Sequence, residues 1–291
     1  MDVPVRRGSA WLIAPAFRYR RSASAAADVV VLDLEDSVPA EDKPTARAAA
    51  VDRVREVVDD HDTVLGVRVN APGTLHGLHD LVAFAESGVC PAVVVVPKVE
   101  SSRDVELVAT VLDRGHGPPA VWALVETPRA FQHLAEILGS QWLAGVVFGA
   151  ADYAAATGCA RSSQALWYPR SALAAGAAAA GVPALDSPYF DLDDPEGLQR
   201  EAEQARDLGF TGKGAVHPRQ LPVIRDAFAA SEQELAQAHA VLAAAEAAHG
   251  GITTVDGRMV GPPIVAAARA VTAHAATPHG RSSKEESGAE Q

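Results

Sequence analysis

The chain alternates short apolar runs with segments whose apolar positions recur at helical spacing. The runs are WLIAPA (11–16), VVVLDLED (29–36), LGVRVN (65–70), AVVVVPKVE (92–100), VWALVETP (121–128), GVVFGAAD (145–152), PALDSPY (183–189) and FTGKGAVHP (210–218). Several stay hydrophobic over consecutive positions, as strands do when both faces of a parallel sheet are covered. After the second run, KPTARAAAVDRVREVVDD places Val51, Val54, Val57 and Val58 on one helical face. RDVELVATVLDR, RAFQHLAEIL, SALAAGAAAA and PEGLQREAEQARDLG supply helices after the fourth to seventh runs. Pro44 suits a first helical turn and Gly209 a C-cap.

Eight strands with helical crossovers predict an α/β fold, a closed (β/α)8 TIM barrel over residues 1–230. An open doubly wound sheet is the alternative, but no G-x-G-x-x-G and no P-loop follows any strand. What remains exceeds a barrel's needs. It predicts a C-terminal helical extension over 231–276, containing SEQELAQAHAVLAAAEAAHG, and a loose polar tail over 277–291.

The formal charge of -12 disfavours non-specific attraction to nucleic acid or anionic lipid. Cys90 and Cys159, the only cysteines, give neither a disulfide framework nor a four-thiolate metal site. No apolar run reaches the roughly 18 residues that span a bilayer, so a cytoplasmic enzyme is expected.

Charge gathers at one end of the strands. Asp33, Glu35 and Asp36 close the second, Arg68 and Asn70 the third, Lys98 and Glu100 the fourth, Glu126 the fifth and Asp152 the sixth. Asp186 and Ser187 follow the seventh, Lys213 and His217 the eighth. In a barrel that end is where active sites form. Two carboxylates in a cleft repel each other, and a divalent cation such as magnesium relieves the repulsion. Glu126 and Asp152 are candidates for that pair; the alternative is that Glu126 pairs with Arg129 while Asp152 caps a helix beginning near Tyr153. Arg68 either holds a substrate carboxylate or neutralises the DLED cluster. Glu35 is open to pairing with Lys43 or Lys98. Acids around Lys98 keep its amine protonated, which disfavours Schiff-base chemistry.

The ordered series LDLEDSVP, VRVN, VVPKVE, ALVETP, VVFGAADYAAATG, YPRSALAAGAAAAGVPALD and GFTGKGAVHPRQ resembles the citrate lyase beta-subunit-like family of the HpcH/HpaI aldolase superfamily, related to malyl-CoA and citramalyl-CoA lyases. The resemblance covers roughly residues 10–230. It implies a trimeric or hexameric barrel that binds Mg2+ through Glu126 and Asp152 and grips a keto-acid or hydroxy-acid carboxylate with Arg68. It also implies Arg18 and Arg20 of PAFRYR as contacts for CoA or phosphate. The implied reaction is retro-aldol carbon-carbon cleavage of a 3-hydroxyacyl-CoA such as citramalyl-CoA, malyl-CoA or citryl-CoA. A CoA-independent aldolase acting on a 4-hydroxy-2-keto acid and a non-catalytic scaffolding barrel are the alternatives. GRMVGPP departs from the family pattern by placing Gly261 where a lid aspartate stands. Glycine transfers no proton, which argues against malate-synthase-like or thioesterase-coupled activity and leaves that work to water assisted by Asp36 or Glu35.

Overall fold

The computed structural model describes residues 9–17, 27–57, 64–115, 117–249 and 251–275. Eight parallel strands close into a barrel in sequential order: β1 (Ser9–Pro15), β2 (Val29–Asp33), β3 (Val64–Arg68), β4 (Val93–Val96), β5 (Ala120–Val125), β6 (Leu143–Phe148), β7 (Ala184–Asp186) and β8 (Gly212–Ala215). Each expected strand is present. Seven of them stop short of the polar residues that end their apolar runs or include only the first, and the first run, WLIAPA, carries none.

The helices are α1 (Lys43–Val57), α2 (Leu75–Ser87), α3 (Ser102–Leu112), α4 (Pro128–Gln132), α5 (Leu134–Leu138), α6 (Ala150–Thr157), α7 (Trp167–Ala180), α8 (Pro195–Leu208) and α9 (Gln220–Phe228). Neither α2 nor α9 is among the helices read from the sequence. Helix α2 buries only Gly77, Asp80, Leu81 and Phe84 and leaves Leu75, Leu78 and Val82 exposed, so its apolar face is blurred. Gly209 ends α8 in the left-handed conformation, with φ 99°, as its place in the sequence predicts.

The strands follow a strict division of faces. Outward residues such as Val30, Leu32, Val94, Val96, Val121 and Ala123 pack with Ala46, Ala50, Val54 and Leu173 of the helical layer. Inward residues form a separate cluster containing Trp11, Val29, Val31, Val93, Val95, Trp122, Leu124, Val147 and Leu185. Two indoles fill much of that interior, with ring centroids 4.5 Å apart. Trp122 pairs in register with Gly145, where an added Cβ would lie 2.6 Å from the indole. The large ring on β5 therefore requires a missing side chain on β6.

The chain divides into two compact units between Phe228 and Ala229. In the second, α10 (Glu232–Ala247) and α11 (Pro262–Ala275) flank the antiparallel strands β9 (Thr253–Val255) and β10 (Arg258–Val260). Ala238, Val241, Val260 and Ala268 form its core. Ser231 and Glu234 build the capping box that starts α10. The two-residue turn Asp256-Gly257 joins β9 to β10 with both residues at positive φ, the turn chemistry that suits a tight hairpin. Gly261 lies between β10 and α11, and a Cβ there would meet nothing within 4 Å. Among the described residues, no helix is long and apolar enough to cross a membrane.

Candidate active site

A cavity of about 530 Å³ opens at the C-terminal ends of the strands. Trp11, Ile13, Val31, Val95, Leu124, Val147 and Leu185 make its apolar floor and walls, and Asp33, Asp36, Arg68, Glu126, Asp152 and Ser187 bring polar groups to it. Such a cavity, mostly apolar with a few convergent charges, has the make-up of a small-molecule site.

Face alternation explains how the acids arrive. Asp33 continues the inward rank Val29, Val31 along β2, and it lies directly beside Arg68 of β3 in the sheet register. Arg68 Nε and Nη2 donate to the two Asp33 oxygens, each at 2.7 Å. The fully buried Asp33 also accepts from the backbone N–H groups of Glu35 and Ser37. Although burial opposes its charge, Arg68 and these donors hold the Asp33 carboxyl below the ordinary range. Asp33 thus fixes the β2–α1 turn. Lys43 fixes it from the other side, donating through Nζ to the carbonyls of Leu34 and Glu35 and to Asn70 Oδ1.

The remaining Arg68 nitrogen, Nη1, lies 2.9 Å from Glu35 Oε2 and 3.3 Å from Asp36 Oδ2. Asp36 is solvent-exposed and Glu35 is buried. Both alternatives for Glu35 are thereby separated: its side chain pairs with Lys98, at 2.6 Å, whereas Lys43 takes only its carbonyl. Burial would lower the Lys98 ammonium, but the hydrogen bond and charge of Glu35, with Glu126 and Asp152, raise it above the usual lysine range. The amine stays protonated.

Glu126 is buried immediately after β5, and Thr127 and Pro128 stop the strand by starting α4. Its Oε1 accepts from the backbone N–H of Lys98 at 2.8 Å. An added Cβ at Gly149 would sit 2.4 Å from Glu126 Cβ, so the glycine of FGAAD gives Glu126 its room. Asp152 sits in the first turn of α6, where the helix dipole favours its charge. Its Oδ2 lies 3.2 Å from Lys98 Nζ, yet that buried atom accepts no hydrogen bond. Arg129 pairs at 3.7 Å with Glu100, leaving Glu126 without it. Burial first, then the charges of Glu35 and Asp152, push the Glu126 carboxyl up to about 8.

This is a crowded, under-compensated group of acids. Among the described residues no three His, Cys, Asp or Glu side chains form a cage for a metal. The donors nevertheless fit a hard cation that takes one or two carboxylates and fills its other positions from water or ligand, and the orphaned Asp152 oxygen offers one such position.

Not every expected residue is seen at the cavity. Arg18 and Arg20 fall outside the described residues. Asp186 and Lys213, neighbours in register, turn outward: Asp186 joins Arg170 of α7 at 2.9 Å, and Lys213 joins Asp186 at 2.6 Å and Glu201 of α8 at 2.7 Å. That network ties the helical layer to the barrel. His217 is absent from the cavity wall; its Nδ1 accepts from the Arg219 backbone. Ser187 and the apolar Trp11 and Phe190 do line the cavity, and for the last two hydrophobicity alone gave no signal of function.

The model of the HpcH/HpaI aldolase/citrate lyase family matches residues 15–218. A citrate lyase subunit beta-like protein of Mycobacterium tuberculosis is 39% identical over 267 residues, covering 89% of this chain and 92% of that protein. A (3S)-malyl-CoA thioesterase of Cereibacter sphaeroides is 36% identical, covering 81% of this chain and 82% of its own. The solved structure of CitE from Mycobacterium tuberculosis in complex with magnesium, acetoacetate and coenzyme A superposes with a TM-score of 0.82 at 37% identity, covering 94% of this chain and all of that one. Sequence, closed barrel and strand-end acids agree: the chain belongs to the HpcH/HpaI aldolase/citrate lyase family.

Proposed function

We propose that the chain is a magnesium-dependent lyase that cleaves a carbon-carbon bond in a 3-hydroxyacyl-CoA. The observation that carries this reading is the buried Glu126 beside Asp152, its carboxyl held up to about 8 by burial and unrelieved negative charge. Glu126 and Asp152 would hold the cation. When bound, magnesium supplies Lewis acidity at the substrate's hydroxyl and carboxylate oxygens.

The protein's own groups do the rest. Arg68 keeps its two strong bonds to the buried Asp33, which set the guanidinium plane. Its longer contact, to the exposed Asp36, is the one that a substrate carboxylate replaces. Asp36, released at the cavity wall, takes the hydroxyl proton through water. The bond between the hydroxyl-bearing carbon and the carbon next to the thioester then breaks, leaving a keto acid and a thioester enolate. The proton returns to that enolate and gives the acyl-CoA. Glu35, bound by Arg68, supports this transfer electrostatically. The apolar walls exclude competing water.

The assay incubates the protein with magnesium and citramalyl-CoA, malyl-CoA or free 4-hydroxy-2-keto acids and detects pyruvate, glyoxylate and CoA products by mass. Keto acid with acyl-CoA supports the lyase. Cleavage of the free acids alone makes it a CoA-independent aldolase, and free CoA with hydroxy acid makes it a thioesterase like the Cereibacter relative. In the same assay Glu126→Gln and Asp152→Asn should each lower turnover at least about 10²-fold and weaken magnesium binding. Unchanged binding and turnover in both would refute the assignment. Assembly as a homotrimer or homohexamer is part of the proposal, and light scattering after size exclusion measures it.

A further inference from the structure

Lys98 touches three acids of the cluster, Glu35, Glu126 and Asp152, and the reading that follows rests on the last two as the magnesium ligands. Its backbone N–H donates to Glu126 Oε1 at 2.8 Å. Its ammonium donates to Glu35 Oε1 at 2.6 Å and lies 3.2 Å from Asp152 Oδ2. The residue stands at φ 53°, in the left-handed region that a side chain with a Cβ enters at a cost. Among the described residues the other non-glycine positions there are His249 and Asp256, both outside the barrel. Strain of this kind persists where the surroundings fix it, and here it lets one residue face the acids with both its main chain and its side-chain tip.

The two ends differ in freedom. The N–H belongs to the turn after β4. The side chain is 42% exposed, so its tip has solvent to move into. Its contact with Asp152 is also incomplete, because Asp152 Oδ2 accepts no hydrogen bond.

We propose that Lys98 is a positioning residue that keeps the place of the divalent cation. Its ammonium holds Glu35 and Asp152 together in the metal-free protein and withdraws toward solvent when magnesium binds, while its N–H keeps Glu126 Oε1 aimed throughout. The lysine preorganises the acids and opposes the metal at once, which keeps metal exchange reversible.

Calorimetric magnesium titrations and metal-free thermal melts of the wild type, Lys98→Met, Lys98→Arg and Glu126→Gln test this. Lys98→Met should melt lower without metal yet bind magnesium about tenfold or more tightly, because no charge-assisted hydrogen bond has to be surrendered. Lys98→Arg, which keeps the charge, should stay near the wild-type affinity. A purely structural lysine would lower the melting temperature without tightening magnesium binding. Equal or weaker binding by a folded Lys98→Met protein overturns the proposal; loss of binding in Glu126→Gln in that same series shows that the metal site itself stands. If the wild type takes up no magnesium, both fall. Lys98→Gln replaces Met should the latter fail to fold, with the same expected direction.

Discussion

Glu126 makes the metal-free protein sensitive to pH in a direction that can be worked out. Its carboxyl titrates at about 8 in the folded chain against 4.5 ordinarily. Between those values the folded chain keeps a proton that the unfolded chain has released. The side chain therefore favours folding most at low pH, and that contribution falls as pH rises through the window. For one proton the slope is about 1.4 kcal/mol per pH unit, flattening toward either end. Glu126→Gln preserves the shape and the acceptor for the Lys98 N–H but cannot ionise. Subtracting its unfolding free energy from that of the wild type cancels the other titrating groups. Guanidinium unfolding in chelator, at steps from about pH 5.5 to 7.5, should show the difference moving by about 2–3 kcal/mol against the wild type. Saturating magnesium should abolish or reverse the trend, because a metal ligand must be deprotonated and binding releases the proton. A flat difference curve would refute the burial of Glu126 and its crowding by Glu35 and Asp152, and with them the physical case for a cation there.

Two further changes test the scaffold. Lys213→Met leaves Glu201 and the buried Asp186 without their ammonium, and should cost about 3–5 kcal/mol in denaturant unfolding. A loss under about 1 kcal/mol would show the network to be dispensable. Gly145→Ala drives a methyl to within 2.6 Å of the Trp122 ring, and should cost about 1–3 kcal/mol and alter the near-ultraviolet tryptophan signal.

The barrel was legible because its strands are short, apolar on both faces and regularly spaced. All eight are found within the residues read as apolar runs or beside them. What escaped has a local cause. Helix α2 keeps Leu75, Leu78 and Val82 exposed while burying Asp80, whose carboxylate accepts from Arg47 and Asn70, so its periodicity does not report its inner face. The hairpin of the second unit rests on Asp256-Gly257 between two strands of three residues each, too brief for alternation to show. That dipeptide was the available signal.

For the site, the decisive variable was the face on which each polar residue falls. A charged residue at the C-terminal end of a barrel strand reads as catalytic until its parity is known. Asp33 and Arg68 share the parity of the inward residues Val31 and Gly66 and come to the cavity. Asp186 follows the inward Leu185 by one position and Lys213 stands between Gly212 and Gly214, so both turn to the helices. Glu126 lies two residues beyond the inward Leu124, and the same count would have placed it correctly. Asp152 cannot be counted this way because β6 ends at Phe148 and α6 carries the carboxylate. Its approach depends on Gly149, which clears the space beside Glu126. Alternation therefore selects among strand residues, while the helix-borne partner is set by a close contact that only the folded chain reveals.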